Sequence, residues 1–171
     1  MEQNIQLMNW YALYVRSRHE SAAREDLGRK GIEAFLPQVK RLRRWSDRGQ
    51  FVDFPLFPGY IFVRTEPGPE YFVKVLKARG AVTLISALPG RPTPVSDEEM
   101  QSLRIMVESG REIDVMPHLK EGDRINIKSG PLKGAQGVLN KKEGQYVFFV
   151  NVDLLGRSLG VRVYSDDVEP V

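Results

Sequence analysis

The chain's 171 residues are 42% hydrophobic and 27% charged, the balance of a folded protein with one medium domain or two small ones, which excludes a disordered or fibrous chain. Cysteine is absent, so disulfides, thiol nucleophiles and thiolate metal sites are excluded together, and His19 and His118 stand too far apart for a local metal motif. The formal net charge of +3 falls entirely in residues 1–110, where 16 Lys and Arg face 13 Asp and Glu; residues 111–171 carry nine of each. Met1–Asn9 lacks a basic flank and an apolar run, and no stretch approaches transmembrane length, so a cytoplasmic protein is the expectation.

Trp10-Tyr11-Ala12-Leu13-Tyr14-Val15 is aromatic and β-prone and is predicted as the first strand. Ser17-Arg18-His19-Glu20 has capping-box spacing, with Ser17 as N-cap and Glu20 reaching back. It opens a helix predicted from about Arg18 to Lys30, with Ala22, Ala23 and Leu27 on the apolar face and Gly31 as its stop. Glu33–Arg43 is predicted as a strand, with Ile32, Phe35, Leu36 and Val39 as the apolar positions. Turn chemistry at Ser46-Asp47-Arg48-Gly49 then sends the chain back through Phe51–Phe54, making Arg41–Arg48 the tip of a hairpin. Gln38–Gln50 holds Lys40, Arg41, Arg43, Arg44 and Arg48 against Asp47 alone. That basic lobe is compatible with phosphate contacts and, on charge alone, at least as well with a solvated hairpin.

Asp53–Val63 organises the rest of the chain. Pro55 and Pro58 lack N–H groups and fix φ, and Gly59 permits φ > 0, so the backbone must turn before the core strand Tyr60–Arg64 begins. Leu56, Phe57 and Tyr60 either pack a hydrophobic corner, which the stretch alone favours, or Phe57 and Tyr60 stand partly outside as anchors for another protein. Pro67-Gly68-Pro69 breaks the chain, and Tyr71, Phe72, Val75 and Leu76 recur on one side of a short helix ended by Gly80. A strand is predicted over Ala81–Ser86. Ser96-Asp97-Glu98-Glu99 is a second capping box, opening a helix with Met100, Leu103 and Val107 inward and Gly110 at its end. The order is that of an α+β fold, a split βαβ antiparallel sheet with helices. Gly110–Lys120 has no hydrophobic period and reads as a linker. Asp123–Lys128, Gly137–Lys141, Tyr146–Val152 and Gly160–Tyr164 are short, glycine-punctuated strands of a small β-barrel.

Within the tail, Glu121–Val138 resembles the KOW motif: Gly130-Pro131 reverses the chain, Lys133 sits on the turn, and Gly134 and Gly137 allow tight bends. With Trp10-Tyr11-Ala12-Leu13-Tyr14 and Leu56-Phe57-Pro58-Gly59-Tyr60-Ile61-Phe62-Val63 in the same order, the chain from Trp10 to Glu169 resembles the NusG family of transcription elongation and antitermination factors. The resemblance implies an NGN domain over residues 1–109 that binds RNA polymerase, a linker over 110–119, and an SH3-like KOW β-barrel over 120–171, in a monomer. It implies that Tyr14, Phe57 and Tyr60, supported by Trp10, dock on the clamp helices of the polymerase's largest subunit. Phe57 and Tyr60 move from core packing to partner anchors on this ground, whereas Trp10 stays a core residue.

The Leu-Phe-Pro corner and the opening strand are similar to RfaH-like specialised members, whereas Gly59 is the residue of general factors. In RfaH-like members, basic residues beside the first helix meet the non-template single DNA strand. Arg16, Arg18 and His19 lie in the matching region, with the hairpin's Arg41, Arg43 and Arg44 as helpers. Leu154-Leu155-Gly156-Arg157 resembles the barrel loop through which general members bind a small-subunit ribosomal protein or Rho, Leu155 standing where an aromatic is common. The tail is rich in glycine and β-branched residues, so a permanent barrel is expected rather than a helical hairpin.

The expected function is therefore a non-enzymatic factor that binds the clamp, suppresses pausing or termination, and recruits partners through the barrel. The alternative is a ribosome-associated RNA-binding KOW module, which would need a basic barrel, yet residues 111–171 are net neutral. Catalysis ranks last. Asp53, Asp97, Glu98 and Glu99 are the conspicuous carboxylates of the first domain, and no Gly-rich phosphate loop, metal cluster or nucleophile–base pair accompanies them, so no cofactor, metal or membrane partner is expected.

Overall fold

Strand β1 (Asn9–Val15) lies inside the first sheet because alternate side chains serve both of its faces. It pairs antiparallel with β5 (Tyr60–Thr65) on one side, and with β6 (Ala81–Leu84) and β7 (Pro94–Val95) on the other. Strand β2 (Glu33–Phe35) pairs with β5, giving the order β2-β5-β1-β6 with β7 beside β1. The computed structural model describes residues 7–45, 48–117, 122–142, 145–163 and 168–170, and the chain divides into two compact units, 1–96 and 97–171. Tyr11, Leu13 and Val15 of β1 meet Ile61 and Val63 of β5 in the first unit's core. Helix α1 (Glu20–Arg29) adds Ala23 and Leu27, and α2 (Pro69–Leu76) adds Val75 and the edge of Phe72, which meets the Tyr11 ring at 5.1 Å. Each fully buried Leu, Ile or Val side chain among them stabilises the unit by about 1.5–3 kcal/mol relative to exposure.

The capping box expected at Ser17 does not form. Arg18 adopts φ 63°, the N-cap position falls to His19, and no side chain caps the helix. The Glu20 carboxylate instead accepts a 2.9 Å bond from the Gly59 N–H, a buried donor that water cannot serve. At the other end, Gly31 takes φ 73° and stops the helix as expected. Asp26 fastens this end to the α2–β6 turn: it accepts from Lys30 Nζ at 3.0 Å and from the Arg79 N–H at 2.9 Å, and these partners hold its carboxyl below the usual aspartate range.

The single strand expected over Glu33–Arg43 is two. Pro37 has no N–H to continue the ladder, so β2 ends at Phe35 and β3 (Gln38–Trp45) starts anew. Among the described residues β3 pairs with β4 (Arg48–Pro55) alone, as a separate two-stranded ribbon. Its base is fixed where the Leu56 N–H donates to the Pro37 carbonyl at 2.8 Å. β6 is shorter than expected, and the unforeseen β7 completes the β1 ladder at Trp10 and Tyr11.

In the second unit, helix α3 (Asp97–Glu108) buries Met100, Ser102, Leu103 and Met106. Met106 takes the inward place expected of Val107, which is half-buried. The helix, expected in the first domain, is hydrogen-bonded within the second unit: Ser102 Oγ accepts from the Gln136 N–H of a strand at 2.9 Å, and Glu99 Oε1 from the Asp153 N–H of a 3-10 turn at 3.3 Å. The sheet is antiparallel, in the order β13-β9-β10-β11-β12-β8. Its strands are β8 (Asp114–Pro117), β9 (Asp123–Ile127), β10 (Gln136–Lys142), β11 (Gln145–Val152), β12 (Arg157–Val163) and β13 (Val168–Pro170). β8 lies within the expected linker and pairs with β12; residues 118–121 fall outside the described residues. Between β9 and β10, Lys133 N–H donates to the Gly130 carbonyl and Gly134 N–H to the Ile127 carbonyl, the tight reversal that the Gly-Pro motif anticipates. Gly137 has no alternative there, since a Cβ would stand 2.1 Å from the Phe149 carbonyl oxygen.

Candidate protein and nucleic-acid interface

The corner before β5 is a hydrogen-bonded turn. Tyr60 N–H donates to the Phe57 carbonyl at 2.9 Å, with Pro58 and Gly59 in the central places and Gly59 at φ 88°, as a type II turn demands at its third residue. Three further bonds brace it. Gly59 N–H donates to Glu20, Val15 N–H to the Gly59 carbonyl at 2.8 Å, and Leu56 N–H to the Pro37 carbonyl. A Cβ at position 59 would also crowd the Tyr14 ring, at 3.1 Å, and make it give way.

This bracing sets the candidate rings. Tyr14 and Tyr60 are direct partners in the β1–β5 register, their centroids 5.4 Å apart and tilted by 49°. Tyr14 is 39% exposed and Tyr60 half-buried, so the pair stands at the surface. Phe57 does not stand partly outside as the family resemblance implied, but packs the corner as the stretch alone suggested. The ring is 4% exposed and packs edge-on to Phe62 at 6.3 Å, because the turn fixes it on the protein side. Trp10 is buried, at 6%.

Arg16, Ser17 and Arg18 are exposed on the loop that leaves β1 immediately after Tyr14 and Val15. The loop is held by Arg16 N–H donating to the Gly80 carbonyl at 2.8 Å and by His19 N–H donating to the Arg16 carbonyl at 3.0 Å. His19 is half-buried, and its Nδ1 donates to the Ser17 carbonyl at 2.9 Å. Its Cβ lies so close to Gly80 that any side chain at position 80 would displace it. Thus the structure brings Tyr14, Tyr60, Arg16, Arg18 and His19 to one end of β1.

The hairpin arginines form a different group. Residues paired across a ribbon share a face, so Arg41 (opposite Val52) and Arg43 (opposite Gln50) lie on one face and Arg44 (opposite Gly49) on the other. All three are exposed. In the second unit, Leu154 and Leu155 are half-buried in a 3-10 turn, Asp153–Leu155; Gly156 follows in the left-handed region, and Arg157 is exposed at the start of β12. Among the described residues no cluster of three or more His, Asp or Glu side chains is placed to hold a metal, and no helix is long and apolar enough to cross a membrane.

Sequence reasoning missed two residues here. Glu20 looked like a cap; its partner lies 39 positions away, where no local spacing could show it. Phe51 looked like an ordinary strand position, and its exposure shows only once the ribbon is seen, among the described residues, as a two-stranded sheet.

The model of the family described as transcription termination factor NusG matches residues 8–104, more than half of the chain. The transcription termination/antitermination protein NusG of Borreliella burgdorferi is 24% identical over 95% of this chain and 98% of its own length. The Staphylococcus aureus (strain N315) protein of the same name is 26% identical over 99% of each. A solved structure of Thermotoga maritima NusG shares the fold with a TM-score of 0.52, at 24% identity over 96% of this chain and 98% of that one. The matched span runs from before β1 through most of α3 and takes in the tyrosine pair, its corner and the ribbon: the chain belongs to the NusG family.

Proposed function

We propose that this transcription factor binds the clamp helices of the RNA polymerase largest subunit through Tyr14 and Tyr60, with Phe57 buried in the turn that sets Tyr60 and Trp10 buried further along β1. The observation that carries this reading is the surface tyrosine pair, paired across β1 and β5 and braced by the Gly59 turn. Rings held this way lose little freedom on binding and present apolar area with a polar rim, the properties of an interface anchor. Binding that favours the closed clamp shifts the polymerase away from its paused state; nothing is chemically transformed. Arg16, Arg18 and His19, on the loop beside the pair, meet the non-template single DNA strand, with Arg41, Arg43 and Arg44 adding phosphate contacts. The Leu154–Arg157 loop recruits a small-subunit ribosomal protein or Rho.

The test is retention of core RNA polymerase on the immobilised protein. Tyr14→Ala and Tyr60→Ala should each weaken retention by about 30-fold, the loss expected of a hot-spot ring. Undiminished binding by both variants, with native circular dichroism, would remove the pair from the interface.

A further inference from the structure

The β3–β4 ribbon is an unusual use of sequence. Two-stranded sheets are marginal in water unless something covers a face, yet from the Lys40–Asp53 pair outward nearly every described side chain is exposed, Val52 alone being half-buried. On one face Leu42 stands directly opposite Phe51, and they are 47% and 69% exposed. Lys40 and Arg44 lie on the same face, two positions to either side of Leu42, about 13 Å apart along the strand. Gly49, opposite Arg44, offers no side chain to cover Leu42. Counting both faces, Gln38–Pro55 holds five cations (Lys40, Arg41, Arg43, Arg44, Arg48) and two carboxylates (Asp47, Asp53), a net +3 equal to the formal charge of the whole chain.

We propose that this face is a stacking platform for single-stranded DNA: Phe51 takes a base, Leu42 lies beside it, and Lys40 and Arg44 take the flanking phosphates. The charge selects the occupant. An apolar anchor ringed by cations and carrying most of the chain's positive excess suits a polyanion with flat apolar faces, the combination used by proteins that bind single strands. A duplex hides its base faces and cannot use Phe51. Leu42 favours DNA further, since a branched aliphatic chain beside the stacked base is suited to the thymine methyl, which uracil lacks. The proposal rests on the single-strand reading above and adds a site separate from the Arg16–His19 loop. It divides the hairpin's cations by face: Lys40 and Arg44 serve the stacked base, and Arg41 and Arg43 do not.

The experiment measures fluorescence anisotropy of short labelled oligothymidine, oligouridine and a duplex of equal length, with the full chain. Phe51→Ala should weaken oligothymidine binding between about fivefold and a hundredfold, the range of one base–aromatic stack, and leave duplex binding unchanged. Lys40→Ala/Arg44→Ala should flatten the salt dependence, whereas Arg41→Ala/Arg43→Ala should preserve the Phe51 effect. In Phe51→Trp, the emission added above that of Trp10 and Trp45 should be quenched by the strand. Oligothymidine binding unchanged in Phe51→Ala, an unquenched Trp, or tighter binding to oligouridine overturns the platform. If Arg16→Ala/Arg18→Ala loses the strand while Phe51→Ala keeps it, the platform fails and the loop reading survives; no binding by the wild type sinks both. Loss of polymerase retention in Phe51→Ala with strand binding intact would make the face a protein contact and overturn the proposal.

Discussion

Phe51 and Phe57 lie six positions apart on one run of chain, yet one is 69% exposed and the other 4%. The difference lies in what each backbone is fastened to. Around Phe57, the turn's own bond is joined by bonds to a helix carboxylate and to two strands' ends, and the ring is locked against Phe62. Around Phe51, among the described residues, the ladder has one partner strand and no further one. The same residue type is thus structural where several elements converge and available to a partner where only one does.

That contrast is open to direct attack. The largest effect is expected from Glu20→Ala, which leaves the buried Gly59 N–H without its acceptor and should cost about 2–3 kcal/mol, read as a lower urea midpoint with an unchanged slope. Gly59→Ala should cost about 1–2 kcal/mol, because a Cβ is disfavoured at positive φ, and should also displace the Tyr14 ring. Its polymerase retention should therefore fall by more than that of Glu20→Ala when both are measured under conditions where the variants are fully folded. Phe51→Ala should change stability by less than about 0.5 kcal/mol, as for an exposed site making no core contact. If it destabilised the chain as much as Glu20→Ala, the distinction between corner and ribbon would collapse.

Local pattern was sufficient where neighbours in sequence decide the outcome. Aromatic, β-prone runs marked β1 and β5, the Ala23 and Leu27 spacing marked α1, and Gly130-Pro131 marked the β9–β10 reversal. It misled where a distant group competes for the same atom. Glu20 had the right spacing for a cap, but the Gly59 N–H claimed its carboxylate. Phe57 is the reverse case: the stretch alone favoured a packed corner, which the buried ring shows, and only the family resemblance made it an anchor. β8 and β13 escaped notice because each is short and ends at a proline, so neither shows a periodic signal; pairing with β12 and β9 supplies their order instead. Of the proposed polymerase contact, the tyrosines were legible as residues, whereas their 5.4 Å pairing follows from register.

The interruption at Leu36-Pro37 has a consequence for how such a chain can change over time. A ladder that ran unbroken from Glu33 to Trp45 would transmit every insertion or slip near the tip into the main sheet as a change of register. With the joint sealed by the Pro37 carbonyl and Leu56 N–H, the appendage beyond it can lengthen, shorten or swap its charges while the trunk keeps its geometry.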